Sequence, residues 1–252
     1  MTVFYDPPPI LTHRERQVLA LILDGLSRDD IASVLKISPE TVKIHTRKLL
    51  AKFGAVNLRD GVRQMTAYQS MYGIGEGREN RFATRNILHV RVFPDQPFLS
   101  FHHKLTYLIV VGEYTGHRAS FNSQATVQDV EFSPVTIDRV ENAGLYANYF
   151  LNCSPPIGQG QTLDLEMRSK YHIAFEAGNG TDFHRNSVPT THKTLIYEFP
   201  PNKIPQKVSC ELSLGGVLLD SGAISTTQDR NKFTFHVEPL KLNSLFEVNW
   251  QW

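Results

Sequence analysis

Ser38-Pro39-Glu40-Thr41-Val42-Lys43-Ile44-His45-Thr46-Arg47-Lys48-Leu49-Leu50-Ala51-Lys52-Phe53 is the stretch on which the reading of this 252-residue chain turns. Ser38 offers a side-chain acceptor to backbone N–H groups that a helix start leaves unpaired, and Pro39 suits a first helical position because it has no N–H to satisfy. The spacing therefore predicts a helix from Pro39 to Phe53. On it Val42, Leu49, Leu50 and Phe53 fall near one face and can pack on a core. The opposite face presents Lys43, Ile44, Arg47 and Lys48, basic side chains around one apolar one, on a cylinder that a DNA major groove admits. On an isolated helix such a strip would read as an ordinary solvated face, so its meaning depends on its surroundings.

Outward from this helix the same punctuation recurs. Thr12, Ser27 and Asn57 are N-cap residues followed three positions later by Glu15, Asp30 and Asp60, and Gly25 and Gly54 stand where helices should end. Four short helices are expected within residues 1–72. Tyr72-Gly73-Ile74-Gly75-Glu76-Gly77-Arg78-Glu79-Asn80 resists regular structure, which places a linker over residues 73–84. Beyond it the apolar period changes to two, as in Val208–Leu214, Lys232–Val237 and Phe246–Trp252. Ile87–Phe93, Leu105–Val111, Leu145–Leu151, Leu163–Met167, Tyr171–Phe175 and Leu195–Phe199 are further strand candidates. The expected fold is multi-domain α plus β: four helices, then an all-β sandwich-like domain over 85–252 with antiparallel strands around one core.

Composition supports a globular chain, with 41% apolar residues and 15 Phe. The net charge of +1 hides a division: residues 1–72 hold 10 Lys and Arg against 7 Asp and Glu, and the remainder 16 against 18. A small basic unit beside a near-neutral one fits nucleic-acid binding by the first alone. Cys153 and Cys210 match no metal spacing and no disulfide framework, and read as buried thiols. Neither a leader peptide nor an apolar run of membrane-spanning length is recognised, so a cytoplasmic protein without membrane contact is expected.

Leu11-Thr12, Arg14-Glu15, Val18-Leu19, Gly25-Leu26-Ser27, Ile31-Ala32, Ile37-Ser38, Thr41-Val42-Lys43, His45, Leu49, Lys52-Phe53-Gly54 and Asn57 together resemble the LuxR-type (GerE-like) helix-turn-helix domain in order and spacing. The resemblance covers residues 11–71, about a quarter of the chain. It implies a transcription regulator that binds double-stranded DNA as a homodimer. It also implies that Lys43, Ile44 and Arg47 approach base edges, where Lys and Arg donate to guanine and Ile44 meets a thymine methyl. Thr41, His45, Lys48 and Lys52 are then phosphate contacts, and His45 has the alternative of packing against its own domain. The family dimerises through the helix matching Leu58–Met71, where Val62, Met65 and Tyr68 or Gln69 recur at helical spacing, with closure of the small core as the alternative. Gly61 departs from the pattern and would weaken that helix by about 1 kcal/mol. Many members carry this unit at the C-terminus; here it leads the chain, so no signal-reading mechanism carries over.

The β domain is not recognised as a member of a family. His89, His102, His103, His117, His172, His184, His192 and His236 lie in it without metal-ligand spacing, and no nucleophile motif occurs, so neither metal, cofactor nor enzyme activity is expected. Gly178-Asn179-Gly180-Thr181-Asp182 reads as a turn between strands. Phe246, Val248, Trp250 and Trp252 read as a core-facing stripe, with an exposed partner ridge as the alternative. The domain is expected to sense a small molecule or a protein partner; the alternatives are an oligomerisation or interaction module and, more remotely, a histidine-dependent enzyme.

Overall fold

The computed structural model describes residues 7–74, 80–96, 98–122, 127–143, 146–172, 179–185, 188–214, 217–218, 224–238 and 244–252. Helices α1 (His13–Leu23), α2 (Arg28–Leu35), α3 (Pro39–Lys52) and α4 (Leu58–Tyr68) open the chain, and a 3₁₀ turn, Gln69–Tyr72, follows α4. All four begin at the N-caps the sequence marks. The Thr12 hydroxyl accepts from the Glu15 amide at 3.2 Å while the Thr12 amide donates to the Glu15 carboxylate at 2.8 Å, and Ser27 and Asp30 repeat this box. Gly25 and Gly54 take φ of +81° and +63° past the ends of α1 and α3. The stop after α2 carries no glycine: Lys36 itself adopts φ +53°.

The β region comprises β1 (Arg81–Phe93), β2 (Phe98–Ile109), β3 (Glu113–Tyr114), β4 (Arg118–Asn122), β5 (Val127–Ser133), β6 (Thr136–Ala143), β7 (Tyr146–Asn152), β8 (Ile157–Gly158), β9 (Thr162–His172), β10 (Asn179–Arg185), β11 (Lys193–Glu198), β12 (Lys207–Leu214), β13 (Val217–Leu218), β14 (Ile224–Asp229), β15 (Lys232–Val237) and β16 (Leu245–Gln251). A seven-stranded sheet runs β14-β15-β11-β1-β2-β9-β5, beside a four-stranded sheet β10-β16-β12-β13, a three-stranded sheet β4-β7-β6 and the pair β3-β8.

On β2, Leu99, Phe101, Leu105, Tyr107 and Ile109 are buried on one face while Ser100, His102 and Lys104 stand on the other, the alternation a half-covered strand requires. That inner face is covered in two parts. Leu99 and Phe101, with Val90, Tyr197 and Phe235 of neighbouring strands, pack against Leu212, Phe246, Val248 and Trp250 of the four-stranded sheet. Leu105, Tyr107 and Ile109 pack with Tyr114, Val135, Leu151 and Cys153. The region thus has two apolar clusters where one was expected. Its strands are not all antiparallel either: β1 and β11 run parallel, from Ile87↔Thr194 to Arg91↔Glu198. A long connection between them, which carries β2, β5 and β9 of the same sheet as well as the smaller sheets, makes that direction possible.

Two local readings need correction. Residues 81–84 of the expected linker are the start of β1, and Phe82 is fully buried in the core of the helical head with Tyr72 and Val110, beside Leu11, Val18, Leu19 and Leu49. Gln159 donates to the Leu11 carbonyl at 2.8 Å, a further tie between head and β region. Residues 75–79 of that linker lie outside the described residues. Asn179–Asp182, read as a turn, begins β10, with Gly180 opposite Trp250. Glycine is required there because a Cβ would lie 2.1 Å from the indole ring. Phe246, Val248 and Trp250 are core residues, as the stripe suggested. Of the strand reading at Tyr171–Phe175, Tyr171 and His172 end β9 and the rest lies outside the described residues.

Candidate nucleic-acid interface

Three residues separate α2 from α3. Lys36 turns the chain in the left-handed conformation, Ile37 packs on the head core, and Ser38 caps α3, with its hydroxyl 3.1 Å from the Thr41 amide and 2.8 Å from the Thr41 hydroxyl. This short turn fixes α3 against α2. Val42 and Leu49 are buried, and Leu50 and Phe53 are partly buried against the same core, so the inner face expected of this helix is the observed one.

The outer face carries the expected strip. Ile44 is 45% exposed, Arg47 and Lys48 are exposed, and Lys43 is half-buried with its ammonium 3.4 Å from Glu40. Among the described residues Arg47 and Lys48 have no ion-pair partner, so their charge is available. The phosphate candidates divide. Lys48 is free to reach out, whereas Lys52 donates to the Glu15 carboxylate at 2.7 Å and to the Ile10 carbonyl at 2.9 Å. Lys52 therefore ties α3 to α1. Burial pulls the Glu15 carboxyl upward, but the Lys52 ammonium and the Thr12 amide and hydroxyl outweigh it and hold the carboxyl below its ordinary value. His45 turns Nδ1 into the protein, where it is buried without a hydrogen-bond partner among the described residues, and the Thr41 hydroxyl is engaged with the cap.

The three dimerisation candidates, Val62 and Met65 on α4 and Gln69 at the start of the following 3₁₀ turn, also divide. Met65 is completely buried in the head core, while Val62 and Gln69 are partly exposed. Burial of Met65 excludes it from a surface contact. Gly61 has a packing reason: a Cβ there would come within 2.4 Å of Leu50 Cδ2, so glycine lets α4 approach α3.

Within the β region a polar cluster lies between the two larger sheets, which sequence reasoning missed. The Tyr197 hydroxyl donates to Asp182 at 2.7 Å, and His184 Nε2 lies 2.8 Å from both. Lys193 is buried nearby, with its ammonium 5.1 Å from the centre of the Phe246 ring. Burial pushes Lys193 down to about 8 against the pull of Asp182, and pushes the Cys210 thiol up to about 12 against the pull of Lys193. His103, hydrogen-bonded to Asn86 at 2.8 Å, is held well below its ordinary value by burial and by the nearby Lys193. Polar residues facing inward from a strand leave no mark in a period-two pattern, and Asp182 had been assigned to a turn. Among the described residues no three His, Cys, Asp or Glu side chains come together to hold a metal. No helix of the described residues is long and apolar enough to cross a membrane.

A family model of bacterial regulatory proteins, the luxR family (GerE), matches residues 9–65. The HTH-type transcriptional regulator MalT of Yersinia enterocolitica is 43% identical over 63 residues, 25% of this chain and 7% of MalT. The nitrate/nitrite response regulator protein NarP of Escherichia coli is 51% identical over 57 residues, 23% of this chain and 25% of NarP. The chain thus spans a quarter or less of the regulators it matches. Among solved structures, an M1 zinc metallopeptidase from Deinococcus radiodurans is 14% identical with a TM-score of 0.39, over 69% of this chain and 43% of that one. Leukotriene A4 hydrolase from Saccharomyces cerevisiae is 11% identical with a TM-score of 0.43, over 68% of this chain and 29% of that one. Likenesses at these TM-scores carry no argument about the β region. The caps, the three-residue turn and the match in sequence agree that residues 9–65 are a helix-turn-helix domain of the LuxR type.

Proposed function

We propose that this chain is a cytoplasmic transcription regulator whose helical head binds promoter DNA through α3, and that it is not an enzyme. The observation that carries the reading is the outer face of α3, where Ile44, Arg47 and Lys48 are exposed on a helix whose other face is locked into the core. In this reading Lys43, Ile44 and Arg47 meet base edges, each good contact discriminating by about 1–3 kcal/mol. Lys48 neutralises a phosphate, with Thr41 and the outer nitrogen of His45 beside it. Two copies associate through Val62 on the outer side of α4 and Gln69 of the turn that follows it. The β region senses a small molecule or a protein partner and passes the result to the head through the shared packing of Phe82 and Val110.

The test is Lys43→Ala with Arg47→Ala, titrated against promoter fragments at fixed salt. Specific binding is expected to fall by at least about tenfold, while the thermal midpoint stays within about 2 °C because neither side chain belongs to the head core. Undiminished specific binding overturns the reading.

A further inference from the structure

Among the described residues strand β6 is an edge of the three-stranded sheet, paired with β7 on one side only, and all eight of its residues are exposed. An open edge presents unpaired N–H and C=O groups that template another strand. A bulge between Ile137 and Arg139 puts Ile137, opposite Leu151, on the same face as Val140, opposite Tyr149. These two apolar side chains are 40% and 50% exposed. The other face carries Arg139 and Glu141, opposite Phe150 and Asn148. Arg139 donates to Glu141 at 2.8 Å and to Asp138 at 3.1 Å, and its guanidinium lies 3.8 Å over the Phe150 ring.

We propose that β6 pairs antiparallel with β6 of a second copy of this chain, about a two-fold axis through Val140. Directly opposed residues in an antiparallel pair point to the same face, so a two-fold axis normal to the sheet must set some residue against itself. On Asp138, Arg139 or Glu141 it would oppose like charges, which destabilises a cross-strand pair. On Val140 it sets valine against valine and Arg139 of each copy against Glu141 of the other. Four charges of alternating sign then occupy one face, and Val140 with Ile137 from each copy occupies the other. The charges on this edge accordingly select one partner, itself, and oppose the neighbouring registers.

This pairing rests on neither DNA binding nor the α4 contact, and the experiment keeps them apart. All chains are full length and carry Val62→Glu, which removes the proposed α4 contact without touching β6, and their mass is followed by sedimentation in the absence of DNA. The Val62→Glu chain is expected to be a dimer, and Arg139→Glu or Glu141→Arg to weaken it by about tenfold or more. Mixing the Arg139→Glu chain with the Glu141→Arg chain is expected to restore the dimer, since each copy then meets opposite charge at both positions. A Val62→Glu chain that stays monomeric overturns the proposal and leaves the edge to a different strand. A dimer indifferent to both single changes, or one the mixture fails to restore, overturns it as well. The α4 contact is judged separately, in chains whose β6 pairing is removed by Arg139→Glu, by whether adding Val62→Glu abolishes dimers on DNA.

Discussion

The helical head and the β region are built by different kinds of information. In the head each boundary is set within three or four residues: Thr12 answers Glu15, Ser27 answers Asp30, and Asn57 accepts from the Asp60 amide. In the β region the decisive pairings are remote, such as β1 with β11 and β10 with β16. Local chemistry can therefore be read along the chain in the first case, while in the second it names strands without naming their neighbours. The two regions nonetheless share one core at Phe82 and Val110, and that junction offers the most severe way to break the contrast.

Phe82→Ala should cost about 3–5 kcal/mol, the usual price of emptying a fully buried aromatic site. Helical circular dichroism reports mainly on the head and fluorescence of the two tryptophans on the β region, so a urea melt followed by both distinguishes one cooperative unit from two. Both signals are expected to move together. Movement of the tryptophan signal alone would show that the head stands by itself.

Gly180→Ala attacks the remote pairing of β10 and β16 by placing a methyl against the Trp250 indole. A loss of about 1–3 kcal/mol is expected, as for other overpacked sites, and a neutral result would mean that Gly180 does not lie against the Trp250 ring. Lys52→Met tests the head by leaving the buried Glu15 carboxylate without its cation. It should lower stability by about 1–2 kcal/mol while retaining sequence preference on DNA, the reverse of the pattern expected for Lys43 and Arg47.

Acid separates the regions further. Burial, aided by the nearby Arg81 charge, pushes His117 down to about 3, so the unfolded chain takes up a proton that the folded chain refuses. Stability of the β region should fall as pH drops from about 6.5 toward that value, and His117→Gln should flatten the decline. The Glu15 carboxyl is also held below its ordinary value, 4.5, so its contribution is present at neutral pH and is lost as pH falls through the folded-state value. Midpoints measured across this range should show the cost of Lys52→Met fully present at neutral pH and shrinking at the acid end, where Glu15 takes up a proton.

Much of α3 was legible because two constraints coincide on it: the core stripe at Val42 and Leu49 fixes which side is left for Lys43, Ile44 and Arg47. Lys52 and Met65 were not, since spacing places a residue on a helix without saying what neighbouring helix it meets. Lys52 found Glu15 and the Ile10 carbonyl across α1. The same limit hid Asp182, His184, Tyr197 and Lys193, which converge from two strands of different sheets. Gly61 and Gly180 looked like a weak helix position and a turn, and each proves to be the space another side chain occupies.

The two cysteines have a practical consequence. Burial raises both thiols, Cys210 to about 12, so at neutral pH almost no thiolate exists to attack an electrophile. An engineered surface cysteine would outcompete both for a maleimide dye. Fluorophores can thus be set on the outer face of α3 and on the β6 edge of the native background, making the distance between head and edge an observable in its own right.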